Sequence, residues 1–483
     1  MEKDIPLYRM IYHKVVNRVL TGYYQKGDRL ASAQKIREQY GCSLNSVRQA
    51  MRLLEQDGYI RLEERKAPVV VADPSDPKYR ALRRDNFLRR KHAHMDAYRM
   101  LALFVPQLAW QGAQRCRKEE LEGLAQAAAQ SARQAAARTG LLCAVQDFSL
   151  ALVRRSGNLL AADLFFQVRG FDELGRIVLP AQPPAEDEAA LAASVVERLA
   201  QLAGAGRQDD FCWLLACCCR SLACELALEI GRYAPEEAAP ETQVAFLWYA
   251  DQRPVPLYRQ VAYDLLRFAQ RSLAPGEFFP SEASLMQRYG VSAVTVRSAL
   301  ATLNALGLAR TFNGRGTQFW PEPAADGEYG RLLKEYFDSM ELLAAAANGL
   351  ARLAAPALRP RAQALCEQAA AYRSRHGLWT WTLEQVLPAV PNEAVRNSFG
   401  RLYDRIIFGL ALKPAAQSGA APAHFERIYR RLCEGLRSLD GGDVPAFCDA
   451  FAAISRDSLE SSRGRLRTLC QESEQWKAVL SAI

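Results

Sequence analysis

GEFFPSEASLMQRYGVSAVTVRSAL, residues 276–300, decides how this 483-residue chain is read. Pro280 and Ser281 open a short helix, expected over Glu282–Tyr289, because a serine oxygen accepts the unpaired amides of a first helical turn. Gly290 ends that helix, and Ser292 stands where the next one needs a cap. The next helix is expected over Ala293–Ala305, with Val296, Leu300 and Leu303 on one face and Gly307 as its stop. Upstream, Leu257, Val261, Leu265 and Phe268 recur at helical spacing across Leu257–Ser272. Downstream, two extended pieces, Leu308–Phe312 and Thr317–Trp320, flank Asn313-Gly314-Arg315-Gly316, a glycine-rich hairpin tip with one cation.

Helix, helix, tight turn, helix and hairpin is the order of a winged helix-turn-helix. Such a domain lays its third helix in the major groove of double-stranded DNA. Ser292, Thr295 and Arg297 open that helix and are the expected base and phosphate contacts. The hairpin is expected along the backbone or in the minor groove, through Asn313, Gly314, Arg315 and Gly316.

The pattern occurs twice. PLYRMIY (6–12) matches PLYRQVA (256–262) at an offset of 250. YGCSLNSVRQAM (40–51) matches YGVSAVTVRSAL (289–300), and EQDGYIR (55–61) matches NALGLAR (304–310), both at 249. A period of this length is too long for a solenoid and indicates a duplicated two-part module. Pro74 and Pro77 mark a junction in the first copy, Pro321 and Pro323 its counterpart, and a proline-rich stretch separates the copies. The expected organisation is therefore a winged-helix domain over 1–73, a helical effector-like domain over 78–232, a link over 233–252, a second winged-helix domain over 253–322 and a second helical domain over 327–483. The fold class is mainly α. In the first copy the DNA contacts fall to Ser43, Asn45, Ser46 and Arg48, with Arg65 and Lys66 on the wing. Asn45 is the best specificity candidate there, because an asparagine amide can read adenine bidentately.

Charge supports this placement. The net charge is +9, yet residues 1–100 alone carry +9 and residues 253–320 carry +5, which leaves the rest of the chain at −5. The excess sits where phosphate must be neutralised. The composition, 49% hydrophobic and 24% charged, is that of a globular chain. The longest conspicuous apolar run, Phe211–Cys219, is about half the roughly 20 residues of a membrane span. With no apolar signal core at the N-terminus, a cytoplasmic protein with no membrane partner is expected. Twelve cysteines form no paired CxxC motif and read as small core residues, those at 217–219 included.

These motifs resemble the GntR family of bacterial regulators over the whole of both 70-residue segments. PLYRQVA, GEFFPSEASLMQRYGVSAVTVRSAL, LGLAR and NGRGT carry the resemblance in the second copy. PLYRMIY, GDRLASAQKIREQYGCSLNSVRQAM and DGYIR carry it in the first. Against the family pattern, Ala283 and Gln34 replace an arginine after the Pro-Ser-Glu element, and Ala293 and Leu44 replace one in the recognition turn. The first copy has Ala31-Ser32-Ala33 for Pro-Ser-Glu, and its wing, Glu63–Pro68, has no glycine, so an altered wing is expected there.

The helical halves resemble the FadR-like branch, whose effector domain is an all-helical bundle. DFSLALVRRSGNLLAADLF (147–165) and TLEQVLPAVPNEAVRNSF (382–399) each read as a helix, a break and a second helix, with Asn158 and Asn392 as caps. Many such domains hold a divalent metal through an Asp and several His. The matching positions here are Val145 and Ser149, and Trp379 and Leu383, so no metal and no cofactor are expected. His92 and His94, in RRKHAH, read as a solvated face or a DNA-proximal linker rather than as ligands. Arg154, Arg155 and Arg396 are the candidate ligands for an anionic small-molecule effector.

A sequence-specific transcription regulator is the expected function. The chain would act as an intramolecular pseudo-dimer or a homodimer on an imperfectly palindromic operator, because SLNSVRQ and SAVTVRS differ. The alternative is an interaction protein whose winged helices have become docking modules. An enzyme is not expected: the sequence has no Gly-rich phosphate loop after a strand, no nucleophile elbow and no paired His/carboxylate cluster.

Overall fold

A computed structural model describes residues 7–20, 24–40, 43–63, 66–73, 76–134, 140–178, 186–233, 243–246, 248, 257–320, 327–370, 378–409 and 421–472. The chain divides into two compact units, one of residues 1–157 and 162–254, the other of 158–161 and 255–483.

The first unit begins with α1 (Leu7–Leu20), α2 (Ala33–Tyr40) and α3 (Leu44–Gln56), followed by two short strands, β1 (Ile60–Arg61) and β2 (Val69–Val70). Its helical part comprises α4 (Pro77–Ala113), α5 (Lys118–Gln134), α6 (Gly140–Arg155), α7 (Leu159–Val178, of which residues 162–178 belong to this unit), α8 (Glu186–Gly204) and α9 (Gln208–Tyr233). The second unit repeats the order with α10 (Leu257–Ser272), α11 (Glu282–Tyr289), α12 (Ala293–Ala305), β3 (Ala309–Phe312) and β4 (Gly316–Phe319). It continues with α13 (Gly327–Leu358), a 3₁₀ turn at Arg359–Arg361, α14 (Ala362–Ala369), α15 (Leu378–Ala389), α16 (Glu393–Gly409), α17 (Ala421–Asp440) and α18 (Val444–Glu472). The fold is mainly α, with the only described strands in the two wings.

Each winged-helix segment closes over its own core. Val47, Ala50, Met51 and Leu54 on α3 pack on Ile11, Val15 and Val19 of α1 and Ile36 of α2. Val296, Ala299, Leu300 and Leu303 on α12 do the same with Val261, Leu265 and Ala269 of α10 and Leu285 of α11. The two lists match position by position at the repeat offsets. Both third helices therefore bury the same face and present the same opposite face to solvent. Each fully buried aliphatic side chain contributes roughly 1.5–3 kcal/mol.

The wings pair antiparallel in both segments, Ile60 with Val70 and Ala309 with Phe319. Gly27 N donates to Val70 O at 2.8 Å and Gly276 N to Phe319 O at 2.7 Å, so each wing is hydrogen-bonded to the segment before the second helix. The first wing differs as its glycine-free sequence suggests: its strands are two residues long against four in the second.

The helical parts are interrupted where the repeated asparagines stand. Asn158 Oδ1 accepts from Ala161 N at 2.9 Å and Asn392 Oδ1 from Val395 N at 2.8 Å, so each caps the helix that follows. In the stretch expected as a link, Phe246 and Trp248 are buried. Val244 N donates to Arg89 O at 2.8 Å and Trp248 Nε1 to Asp163 Oδ2 at 2.9 Å, which fastens these residues to the first unit.

His92 is exposed, but His94 is buried and stacks on Phe87 with ring centroids 5.7 Å apart. Its neighbours in sequence, Arg90 and Lys91, are also buried, so RRKHAH is only in part a solvated stretch. Helical spacing turns residues 90, 91 and 94 inward, which the run of charges hid. Burial, and after it the nearby Arg90 charge, lowers the imidazole pKa to about 3. Among the described residues, no group of three His, Cys, Asp or Glu side chains is placed to hold a metal ion, and no helix is long and apolar enough to cross a membrane. Val145 and Ser149 lie in the interior of the first helical part, Trp379 and Leu383 in that of the second.

Candidate nucleic-acid interface

The turn between α11 and α12 is built by three residues. Gly290 closes α11 in the left-handed region at φ 63°, a conformation a Cβ would strain. Its N–H donates to Met286 O. Ser292 is then extended, at φ −70° and ψ 158°, and its Oγ accepts from Thr295 N at 3.3 Å. The Ser292 and Thr295 hydroxyls lie 3.0 Å apart, so both residues hold the first turn of α12. The first segment reproduces this geometry: Ser43 Oγ accepts from Ser46 N at 3.0 Å, and the two serine hydroxyls lie 2.9 Å apart. Capping fixes the direction in which each third helix leaves the turn.

The exposed faces then diverge. On α3 the solvent-facing residues are Asn45, Arg48, Gln49 and Arg52, with Ser43 exposed at the cap and Ser46 half-buried. On α12 the same positions hold Val294, Arg297 and Ala301, all exposed, and Ser298, which is half-buried, with Ser292 exposed and Thr295 half-buried. Arg297 Nε donates to Glu282 Oε2 at 2.8 Å, so Glu282 on α11 holds this guanidinium. The residue of α2 that corresponds to Glu282 is Ala33, and Arg48 makes no side-chain hydrogen bond or ion pair among the described residues. Val294 was not among the residues expected from sequence. It is 71% exposed, and aligning the two copies, which sets it opposite Asn45, is the signal that finds it.

The wings diverge in the opposite sense. In the second, Gly314 and Gly316 take φ of 73° and 103°, and Arg315 N donates to Phe312 O at 3.1 Å. Asn313, Gly314, Arg315 and Gly316 are all exposed, and Arg315 makes no ion pair among the described residues. Behind the tip, the Arg310 guanidinium lies 4.5 Å from the Trp320 ring centroid. In the first wing both described cations are answered within the wing: Arg61 Nη2 and Lys66 Nζ each lie 3.4 Å from the Glu63 carboxylate. Lys66 foremost, then Arg61, hold that carboxyl below the usual carboxylate range. Arg65 lies outside the described residues.

Free cation and held cation are thus exchanged between the copies. The first has free arginines on its third helix, while Arg61 and Lys66 on its wing share one carboxylate, Glu63. The second has its helix arginine held by Glu282 and its wing-tip Arg315 outside any ion pair among the described residues.

The comparisons with known proteins fall on these two segments. Residues 7–70 and 257–319 each match the family described as bacterial regulatory proteins, gntR family. Both winged-helix segments are gntR-family domains. The mannosyl-D-glycerate transport/metabolism system repressor MngR of Escherichia coli (strain K12) is 44% identical over 64 residues, 13% of this chain and 26% of the relative. The uncharacterized HTH-type transcriptional regulator YdhC of Bacillus subtilis (strain 168) is 31% identical over 65 residues, 14% of this chain and 29% of the relative. The chain thus spans between a quarter and a third of the length of these curated relatives. Solved structures similar to it include Streptococcus agalactiae GntR, at 17% identity and a TM-score of 0.20 over 42% of this chain and 99% of that one. E. coli McbR/YncC matches at 18% identity and a TM-score of 0.21, over 48% of this chain and all of the other.

Outside the gntR domains, the three expected effector arginines stand apart from one another in role. Arg154 is exposed and without an ion pair among the described residues. Arg155 Nη1 lies 3.2 Å from Glu120 Oε1. Arg396 Nη1 donates to Val390 O at 2.7 Å and to Pro391 O at 3.3 Å, in the break after α15. The thiols of Cys212 and Cys219 are each pushed up to about 12 by burial, which disfavours the thiolate that redox or metal chemistry needs.

Proposed function

We propose that this chain is a transcription regulator that reads DNA through two unequal gntR domains. The observation that carries this reading is the pair of capped third helices over matched cores, each with its outer face exposed. The domains lie over residues 1–73 and 253–322, and the helical halves 78–232 and 327–483 serve as effector-like domains of the FadR type. The whole module arose by duplication, which the matched core positions support.

Each copy contributes differently. Ser43, Asn45, Ser46 and Arg48 contact one half-site mainly through the major groove, where the free Arg48 can reach phosphate or base. Ser292, Thr295 and Arg297 contact the other, with Asn313–Gly316 adding a phosphate or minor-groove contact through Arg315. Lys66 is a weaker contact, since Glu63 shares its charge, and Arg65 is assigned to the first wing by sequence alone. One chain supplies both halves of an imperfect palindrome. The helical halves respond to an anionic small-molecule effector, and Arg154 is the arginine best placed to meet it. Catalysis has no part in this reading.

Footprinting of the full chain on a selected site, with Arg48→Ala and Arg297→Ala alongside, tests it. Each substitution should weaken protection of a different half-site. Loss of both halves together, or of neither, would contradict the division. A second reading keeps the first copy as a protein-docking module, and the pairing of its wing cations with Glu63 favours it; Arg48→Ala would then leave the footprint unchanged.

A further inference from the structure

Val294 and Asn45 occupy the same place on the two third helices, two residues inside a serine cap of the same geometry. We propose that Val294 is the specificity-determining residue of the second copy and selects thymine by contact with its C5-methyl group. This rests on the DNA-binding reading above and deepens it.

Isolated exposed apolar side chains are ordinary on protein surfaces. This one is distinguished by where it stands. It falls in sequence between Ser292 and Thr295, whose hydroxyls hold the cap, and one turn before Arg297, on the turn that enters the groove. It is 71% exposed while Val296, two residues on, is fully buried, so the fold makes little use of it. A β-branched side chain is stiff at χ1 and offers two methyl groups in a fixed direction. In the major groove the thymine methyl is the apolar feature that marks one base, and it matches such a surface. A valine has no hydrogen-bonding group, so it cannot read adenine as the Asn45 amide does. Arg297 is already paired with Glu282, whereas Val294 is apolar and exposed on the same helix start.

The operator consequence is specific. Asn45 selects adenine at its position and Val294 selects thymine at the equivalent one. Both copies therefore demand an A·T pair, but in opposite orientation relative to each domain, and the palindrome breaks at that pair.

The test starts from duplexes selected from a random library by the full-length chain. Each thymine of the enriched site is replaced in turn by deoxyuridine, which removes only the methyl group. One such replacement should weaken binding about four-fold, the factor that burying a single methyl provides. The same replacement should have no effect on Val294→Ala, should keep part of its effect on Val294→Thr, and should be unchanged by Asn45→Val. Thermal unfolding of each variant should match the parent, since the side chain is outside the core. An enriched site in which no thymine methyl matters, or a methyl effect that persists in Val294→Ala, overturns the Val294 assignment and leaves DNA binding standing. Failure to enrich any sequence overturns both.

Discussion

Replacing Arg315 with alanine removes one exposed cation from the tip of the second wing, and the structure sets the size of the effect. Nothing in the described residues neutralises Arg315, so its full charge is available to a phosphate. Each phosphate neutralised on duplex DNA contributes about 0.9 to the slope of log K against log salt. The slope should therefore fall by about 0.9, and affinity by about eight-fold at 0.1 M salt, with the loss vanishing toward 1 M. Lys66→Ala on the first wing is the internal comparison. Its ammonium is 3.4 Å from Glu63, which also lies 3.4 Å from Arg61. Glu63 offsets one of these two cations, so removing Lys66 should lower the slope by less than removing Arg315, whereas Glu63→Gln should leave both cations unpaired and steepen it. Fluorescence anisotropy of the full chain on one selected duplex, titrated at four or five salt concentrations, measures all three. Equal slope changes for Arg315→Ala and Lys66→Ala, or none for Arg315→Ala, would refute the reasoning from local charge pairing.

Other consequences concern stability. Ser292→Ala and Ser43→Ala each remove a cap oxygen from a first turn and should cost about 1 kcal/mol by urea unfolding. Gly290→Ala should cost about 1 kcal/mol through backbone strain alone, because φ is 63° and no neighbouring atom lies within 4 Å of a Cβ there. His94 is held neutral when folded, with its pKa lowered to about 3, whereas the unfolded chain takes up a proton near pH 6.5. Its contribution is thus intact above pH 6.5 and is lost by about 1.4 kcal/mol per pH unit as pH falls from 6.5 toward 3. Thermal melts should show His94→Phe to be less acid-sensitive than the parent over that range.

The local order of the second gntR domain is almost fully legible in sequence. Its helices begin and end at Leu257–Ser272, Glu282–Tyr289 and Ala293–Ala305, as caps, glycines and apolar spacing indicate. These signals act within a few residues, so a single stretch of chain contains them. The breaks at Asn158 and Asn392 are legible for the same reason. What sequence reading missed depends on partners distant in the chain or on orientation. The ion pair from Arg297 to Glu282 spans 15 residues, and nothing in the recognition helix announces it. Glu63 was read as part of an altered wing, but not as the group that neutralises its cations. Val294 is hidden because an apolar residue among apolar residues signals core until its direction is known. His94 was misplaced because a run of charges conceals which members face inward. Trp248 sits in a proline-rich stretch whose composition signals a boundary, yet Asp163 holds its indole N–H.

The central claim is that this chain binds DNA selectively through its gntR domains. Binding of the full-length protein to duplexes from around its own gene, with scrambled duplexes as control and a salt series for each, tests that claim most directly. The account predicts preference for one native duplex, weakening steeply as salt rises and falling further in the double variant Arg48→Ala/Arg315→Ala. Absence of binding to any duplex even at low salt would contradict it.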